Sequence, residues 1–220
     1  MMIRDIFKSS EEKGSLGNYF RNKRFKYFFD KINLLDKPIS ILDLGGKINF
    51  WENRNLSGNP NYLITIVNLE SEISEYPNIE SKVGNILELK NFKKNSFDIV
   101  FSNSVIEHLH NFQNQKKIAS EILRIGKKHI IQTPNKHFFV EPHYIFPFFQ
   151  YLPKKIQYKI LTKTKLSRLK KWDKKFAKQY VKEIRLLTLN ELKEIFPGSK
   201  IHQEKFFGMS KSFTAHNLQT

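Results

Sequence analysis

The 220-residue chain predicts an α/β fold, a mostly parallel sheet covered by helices on both faces and closed by an antiparallel C-terminal hairpin. Three observations carry this reading. From residue 39 onward, short apolar runs of strand length alternate with polar or helical stretches, the pattern of strands buried on both faces. The first run, ISILDL, stops at Gly45–Gly46, as a strand does when it enters a tight turn. At the other end, two strand-like runs are separated by Gly208 alone.

Taken in order, residues 1–37 read as a helical lead-in, with helical spacings among Tyr19, Phe20, Phe25, Tyr27, Phe28, Phe29 and Ile32 and basic residues between them. Pro38 ends that helix. Strands are expected at 39–44, 62–67, 97–102 and 128–132. Between the last two, Val105, Leu109, Ile118, Ile122 and Leu123 space an amphipathic helix that ends near Gly126. Residues 188–192 read as a capped short helix stopped by Pro197–Gly198, and the hairpin runs follow at 201–207 and 209–215. The lead-in thus precedes one domain over 38–220, interrupted by a helical insertion at about 144–187.

With no cysteine, the chain excludes disulfide scaffolds, zinc ribbons, iron–sulfur sites and thiol nucleophiles. The start, MMIRDIFKSSEEK, is too charged for the apolar core of a signal peptide, and no uncharged apolar run approaches the ~18 residues of a spanning helix. A cytoplasmic location is expected. The net charge of +17 is regional, since residues 154–185 hold 13 basic and two acidic side chains. A Lys-, Asn-, Ile- and Phe-rich composition of the kind AT-biased coding produces accounts for part of the lysine excess, but not for its clustering. The insertion opens with the aromatic stretch YIFPFFQYLP. It continues as a basic helix with Leu166, Leu169, Trp172, Phe176, Tyr180 and Ile184 at spacings of three and four. Such a stripe serves as a lid on an acceptor pocket or as a peripheral contact with anionic membrane.

In an open parallel sheet, ligands bind beyond the carboxyl ends of the strands, where strand order reverses. That directs attention to the loop ILDLGGKINFW, residues 41–51, although an ordinary strand-to-helix turn has the same residue types. The segments ILDLGG, ITIVNLE, VGNILEL, NSFDIVFSNSVIEHL and IIQTPNKHF follow in that order. In this the sequence resembles the class I S-adenosylmethionine-dependent methyltransferases, above all the methyltransferase-domain proteins that act on small molecules, lipids and glycans. The resemblance covers residues 39–145 and 188–215. It implies a Rossmann-like seven-stranded sheet, S-adenosyl-L-methionine as cofactor and methyl transfer as activity. It places Asp43, Gly45 and Gly46 in the loop around the methionine part of the cofactor. Asn68 stands at the usual acid position for the ribose, with Glu70 two residues on. Gly84, Asn85 and Ile86 match the Gly-Asp-apolar element at the adenine. Ser102 and Asn103 fall beside the methionine end, or alternatively cap a helix together with Ser104. The sequence departs from the family at Lys47 and Asn49, where further glycines are usual, and by Asn at the two acid positions. Phe50 and Trp51 read as core packing, with a shelf against the cofactor as the alternative.

Methylation of a hydroxyl needs a base that titrates near neutrality, which histidine supplies. His143, in EPHYIFP, ranks first and His108, in SNSVIEHL, second; His137 lies nearby in the sequence. Their spacing is not diagnostic of a metal, and none is expected. The expected reaction is O-methylation of a small molecule, glycan or lipid-linked precursor. The alternatives are a non-catalytic methyltransferase-like binding protein and a nucleic-acid methyltransferase that uses the basic segment. Against nucleic acid, SNSV stands where base methylation in this fold places an Asn/Asp-Pro-Pro-aromatic element.

Overall fold

The computed structural model describes residues 16–219. The chain divides into two compact units, one of Leu35–Asn135 with Arg185 to the C-terminus, the other of the chain up to Leu34 with Lys136–Ile184.

The first unit is built on seven strands: β1 Ile39–Leu44, β2 Tyr62–Asn68, β3 Ile79–Val83, β4 Phe97–Asn103, β5 Gly126–Pro134, β8 Lys200–Phe206 and β9 Met209–His216. Their order across the sheet is β3-β2-β1-β4-β5-β9-β8. The first five are parallel, and β9 runs antiparallel to both β5 and β8. Strand order therefore reverses between β1 and β4, and the loops after these strands border the crevice that such a reversal opens. The expected strands, helix stop and hairpin are all present. The third strand has no apolar run to announce it, because IESKV lies at the sheet edge with only Ile79 buried.

The expected helix after β4 starts later than its apolar spacing implies. Val105 and Leu109 flank a 3-10 turn, Ile106–His108, and His110 takes a left-handed φ of 63°. Asn111 then caps α3, Phe112–Ile125, by accepting from the Asn114 amide. Its core face is Ile118, Ala119, Ile122 and Ile125, while Leu123 is exposed. After β1 comes the short α2, Ile48–Glu52, and before the hairpin α6, Leu189–Ile195. Thr188 and Glu191 close a reciprocal capping box at the start of α6. The chain leaves this unit after Asn135 and re-enters at Arg185, and the two ends meet there. Asn135 forms a parallel bridge with Leu187, and its side chain donates to the Ser210 carbonyl at 2.7 Å.

The second unit contains α1 (Leu16–Ile32), the two-residue strands β6 (Val140–Glu141) and β7 (Phe146–Pro147), α4 (Lys154–Lys163) and α5 (Lys174–Glu183). Tyr144, Phe149, Leu161, Trp172, Ala177 and Val181 form a core cluster. The single long basic helix expected from Leu166 to Ile184 is not formed. The stretch between α4 and α5 is non-helical, with Arg168 and Leu169 at φ 51° and 55°, and Asp173 starts a new helix by accepting from the Phe176 amide. Residues 1–15 of the expected lead-in lie outside the described residues. Among the described residues, no helix is long and apolar enough to cross a membrane.

One side chain fixes the turn that feeds β2. Buried Asn78 donates to the Leu56, Asn59 and Tyr62 carbonyls and accepts from the Gly58 amide, at 2.7–3.1 Å. Asn78→Ala strands these groups and is expected to cost ~1–3 kcal/mol in denaturant unfolding. An unchanged midpoint would show that water replaces the network.

Candidate active site

The site is built outward from the end of β1. Asp43 is buried there, 1% exposed, with Oδ2 accepting from Trp51 Nε1 at 2.8 Å. Its Oδ1 has no hydrogen-bond partner among the described residues. Burial raises its pKa to about 7, against the lowering effect of the Trp51 bond.

The two glycines that follow are needed for different reasons. Gly45 is left-handed at φ 76°, and a Cβ there would lie 2.7 Å from a methyl group of Val105. At Gly46 a Cβ would fall 1.8 Å from Asp43 Oδ2, so only glycine leaves room for the carboxylate. The departures at Lys47 and Asn49 strain nothing. Lys47 is extended at φ −137°, and Asn49 is inside α2. Trp51 is core as expected, 5.4 Å from the Phe101 ring, and is also the donor that holds Asp43, a role its sequence context does not signal.

Asn68 ties β2 to this loop. Its Nδ2 donates to the Gly46 carbonyl at 2.9 Å and its Oδ1 accepts from the Leu69 amide, so both ends of the amide are engaged within the protein. Glu70 is exposed and makes no hydrogen bond among the described residues. Glu72, which the sequence reading missed, is the acid that reaches the loop, accepting from the Ile48 amide at 2.7 Å. It lies in an irregular polar stretch with no periodicity to single it out. Gly84 donates its amide to the Asn68 carbonyl and lies close enough to Val67 that a Cβ would be 3.0 Å from Cγ1. Asn85 is exposed, with Oδ1 accepting from the Leu87 amide, and Ile86 is half-buried against the core.

Ser102 and Asn103 are the last residues of β4 rather than residues beyond it. Ser102 is buried and donates to the Leu44 carbonyl at 3.1 Å. The capping alternative fails, because Asn111 is the cap and Ser104 bonds to Gln132 instead. His108 is half-buried at the end of the 3-10 turn. Beside it Glu107 is fully buried, with Oε2 accepting from Thr133 Oγ1 at 3.1 Å. Gln115 fastens this turn by donating to both the Ile106 and Arg185 carbonyls.

The structure thus links Asp43, Gly45, Gly46, Asn68, Gly84 and Ser102 through direct or backbone-mediated contacts at the carboxyl ends of adjacent strands. Residues 61–129, from the start of β2 into β5, match a family model described as Methyltransferase domain. That stretch carries the signature of a methyltransferase domain. Solved structures are similar to the chain. Phosphoethanolamine N-methyltransferase 2 of Haemonchus contortus, bound to phosphomonomethylethanolamine and S-adenosylhomocysteine, is 16% identical, with 77% of this chain and 35% of that one covered, at TM-score 0.50. A methyltransferase of Methanosarcina mazei is 16% identical over 84% of this chain and 94% of its own, at TM-score 0.48. A Galdieria sulphuraria protein assigned as a sarcosine dimethylglycine methyltransferase is 20% identical over 52% and 47%, at TM-score 0.41. The chain spans less than half of the first and third of these. No curated protein matches it significantly.

The methyltransferase domain fits S-adenosylmethionine on one observation in particular. A buried carboxylate with an unpartnered oxygen lies beside a backbone stripped of side chains at Gly45 and Gly46, and cationic or hydrogen-bond-donating groups of a ligand would satisfy it.

The second unit holds the remaining histidines of the sequence reading. His143 is half-buried after β6, and its Nδ1 lies 2.7 Å from Oε1 of buried Glu141. The other Glu141 oxygen accepts from the Tyr144 amide at 2.8 Å. His137 is exposed, with Nδ1 2.9 Å from the Tyr151 hydroxyl.

Two outcomes test the loop. Gly46→Ala drives a methyl into Asp43 and is expected to weaken S-adenosylhomocysteine at least tenfold in calorimetry, with the circular dichroism spectrum retained. Native affinity would show that the carboxylate has another place to go. Asp43 has a folded pKa near 7, above its ordinary 3.8, so its contribution to stability is full below about pH 4 and is lost as pH rises to about 7. Asp43→Asn keeps an acceptor for Trp51 without the buried charge. At pH 8 it is expected to raise Tm by roughly 2–4 °C for each kcal/mol of charge burial removed, a gain that vanishes near pH 4.

Proposed function

We propose that the chain is a methyltransferase that acts on an oxygen of a small molecule, glycan or lipid-linked precursor. The domain and its glycine loop support the cofactor. The observation that carries the oxygen acceptor is the Glu141–His143 pair. A carboxylate accepts only, so the proton between the two groups belongs to His143 Nδ1, and Nε2 becomes the basic atom of the ring. Glu141 is itself fixed by the Tyr144 amide, which holds the imidazole in one orientation.

S-adenosylmethionine would supply a methyl group already activated on a sulfonium. The protein's work is then to position the acceptor and remove its proton. In this reading Asp43, Gly45 and Gly46 hold the methionine part, Glu70 binds the ribose hydroxyls, and Gly84, Asn85 and Ile86 border the adenine. Ser102 and Asn103 flank the methionine end. His143 Nε2 takes the proton of the acceptor hydroxyl, and His108 is the second candidate for that step. A reading as a binding protein without transfer draws on Asn68, an amide where the family has an acid, whose Nδ2 braces the Gly46 carbonyl and whose Oδ1 accepts from the Leu69 amide.

Labelled S-adenosylmethionine screened against hydroxylated and carboxylated compounds would identify an acceptor. On it, His143→Ala is expected to lower kcat by ~10²–10⁴ while cofactor affinity changes less than twofold. Glu141→Gln should lower kcat less and move the pH profile. Full turnover in His143→Ala would remove it from the chemistry. Tight cofactor binding with no transfer to any compound would favour the binding protein. Glu70→Ala should weaken cofactor binding about tenfold, the loss of one charge-assisted hydrogen bond. If Glu72→Ala does so and Glu70→Ala does not, the ribose role belongs to Glu72.

A further inference from the structure

The break between α4 and α5 turns the usual burial pattern inside out. Ser167 is fully buried, while Leu166 and Leu169 on either side are 58% and 67% exposed. The inversion is held from within. Ser167 Oγ donates to the Tyr144 carbonyl at 2.8 Å, Arg168 Nε donates to the His143 carbonyl at 2.9 Å, and the Trp172 amide donates to the Leu161 carbonyl at 2.9 Å. Arg168 and Leu169 are both left-handed, a conformation unfavourable for side chains of their size, and the hydrogen bonds on either side keep them in it. Just beyond, Phe176 is 51% exposed and stacks on buried Trp172 at 5.4 Å. Three large apolar side chains therefore project to solvent from a fixed scaffold. Around them in the chain, Lys165, Lys170, Lys171, Lys174 and Lys175 are all exposed. Asp173, the acid among them, is engaged as the cap of α5.

We propose that this loop, led by Leu166 and Leu169 with Phe176 at its end, docks on an anionic phospholipid surface. Apolar tips that enter the acyl boundary, set among lysines at headgroup level, are what such a surface attracts, and the charge is complementary. A phosphate backbone would use the lysines but give no reason to hold two leucines outward. The contact is made by a short pinned loop, not by the flat face of a long amphipathic helix, and it does not depend on the methyl-transfer reading.

Sedimentation of the full chain with vesicles tests this. With equimolar phosphatidylglycerol and phosphatidylcholine at 50 mM salt, the protein should pellet; with phosphatidylcholine alone, or at 500 mM salt, it should stay in the supernatant. Leu166→Ser with Leu169→Asn removes both tips, and asparagine tolerates the left-handed backbone. The circular dichroism spectrum should be retained and vesicle affinity should fall at least tenfold. Failure of the wild type to pellet with anionic vesicles overturns the proposal, and so does undiminished pelleting of the double variant. Salt-sensitive retention of single-stranded RNA by both proteins, with no vesicle binding, would assign the patch to nucleic acid instead.

Discussion

Asp43 ends β1 in a place where a carboxylate is poorly solvated, and the surrounding loop is shaped by the need to keep it there. One oxygen rests on the Trp51 indole, the other has no protein donor, and the missing Cβ of Gly46 provides its space. Several neighbours follow from that arrangement. Trp51 must be buried to donate, so the short α2 has to turn it inward against Phe101. The Gly46 carbonyl is tied by Asn68, the Ile48 amide by Glu72, and the Gly45 amide by the Val67 carbonyl. A group whose charge burial disfavours is thereby surrounded by restraints that leave it one unsatisfied direction. That combination of local cost and rigid support is what a binding site needs and a plain strand-to-helix turn does not.

Much of the fold is legible in the sequence because burial on both faces leaves a compositional trace. β1, β2 and β4 are short apolar-rich runs, β5 is marked by the Ile130–Ile131 pair, and the hairpin is marked by Gly208. β3 leaves no such trace, since an edge strand with one buried residue does not need a run. The start of α3 is misread for a related reason. Leu109 reaches the core from the end of a 3-10 turn that Val105 begins, and apolar spacing alone does not distinguish that turn from the first turns of a helix. The broken insertion shows the opposite error, in which Leu166 and Leu169 keep helical spacing with Trp172 while the backbone turns them outward.

Legibility at the site follows the same division. Asp43, Gly45 and Gly46 stand out because a strand end followed by two glycines is a local pattern. Trp51, Glu72 and Glu141 do not, because each acts through a contact with a residue whose position only the fold defines. Asn68 is intermediate. Its place at the end of β2 is readable, but its bond to the Gly46 carbonyl is not, because that contact depends on how the loop after β1 folds back.

The bridge between Asn135 and Leu187 brings together the points where the chain leaves and rejoins the sheet unit. The chain between them contributes no strand to the seven-stranded ladder, so the ladder is closed as though by a short connection. Closing entropy grows only slowly with the length of what lies between two fixed ends. The entropy of closing the chain between Asn135 and Leu187 therefore changes little with the number of residues that separate them.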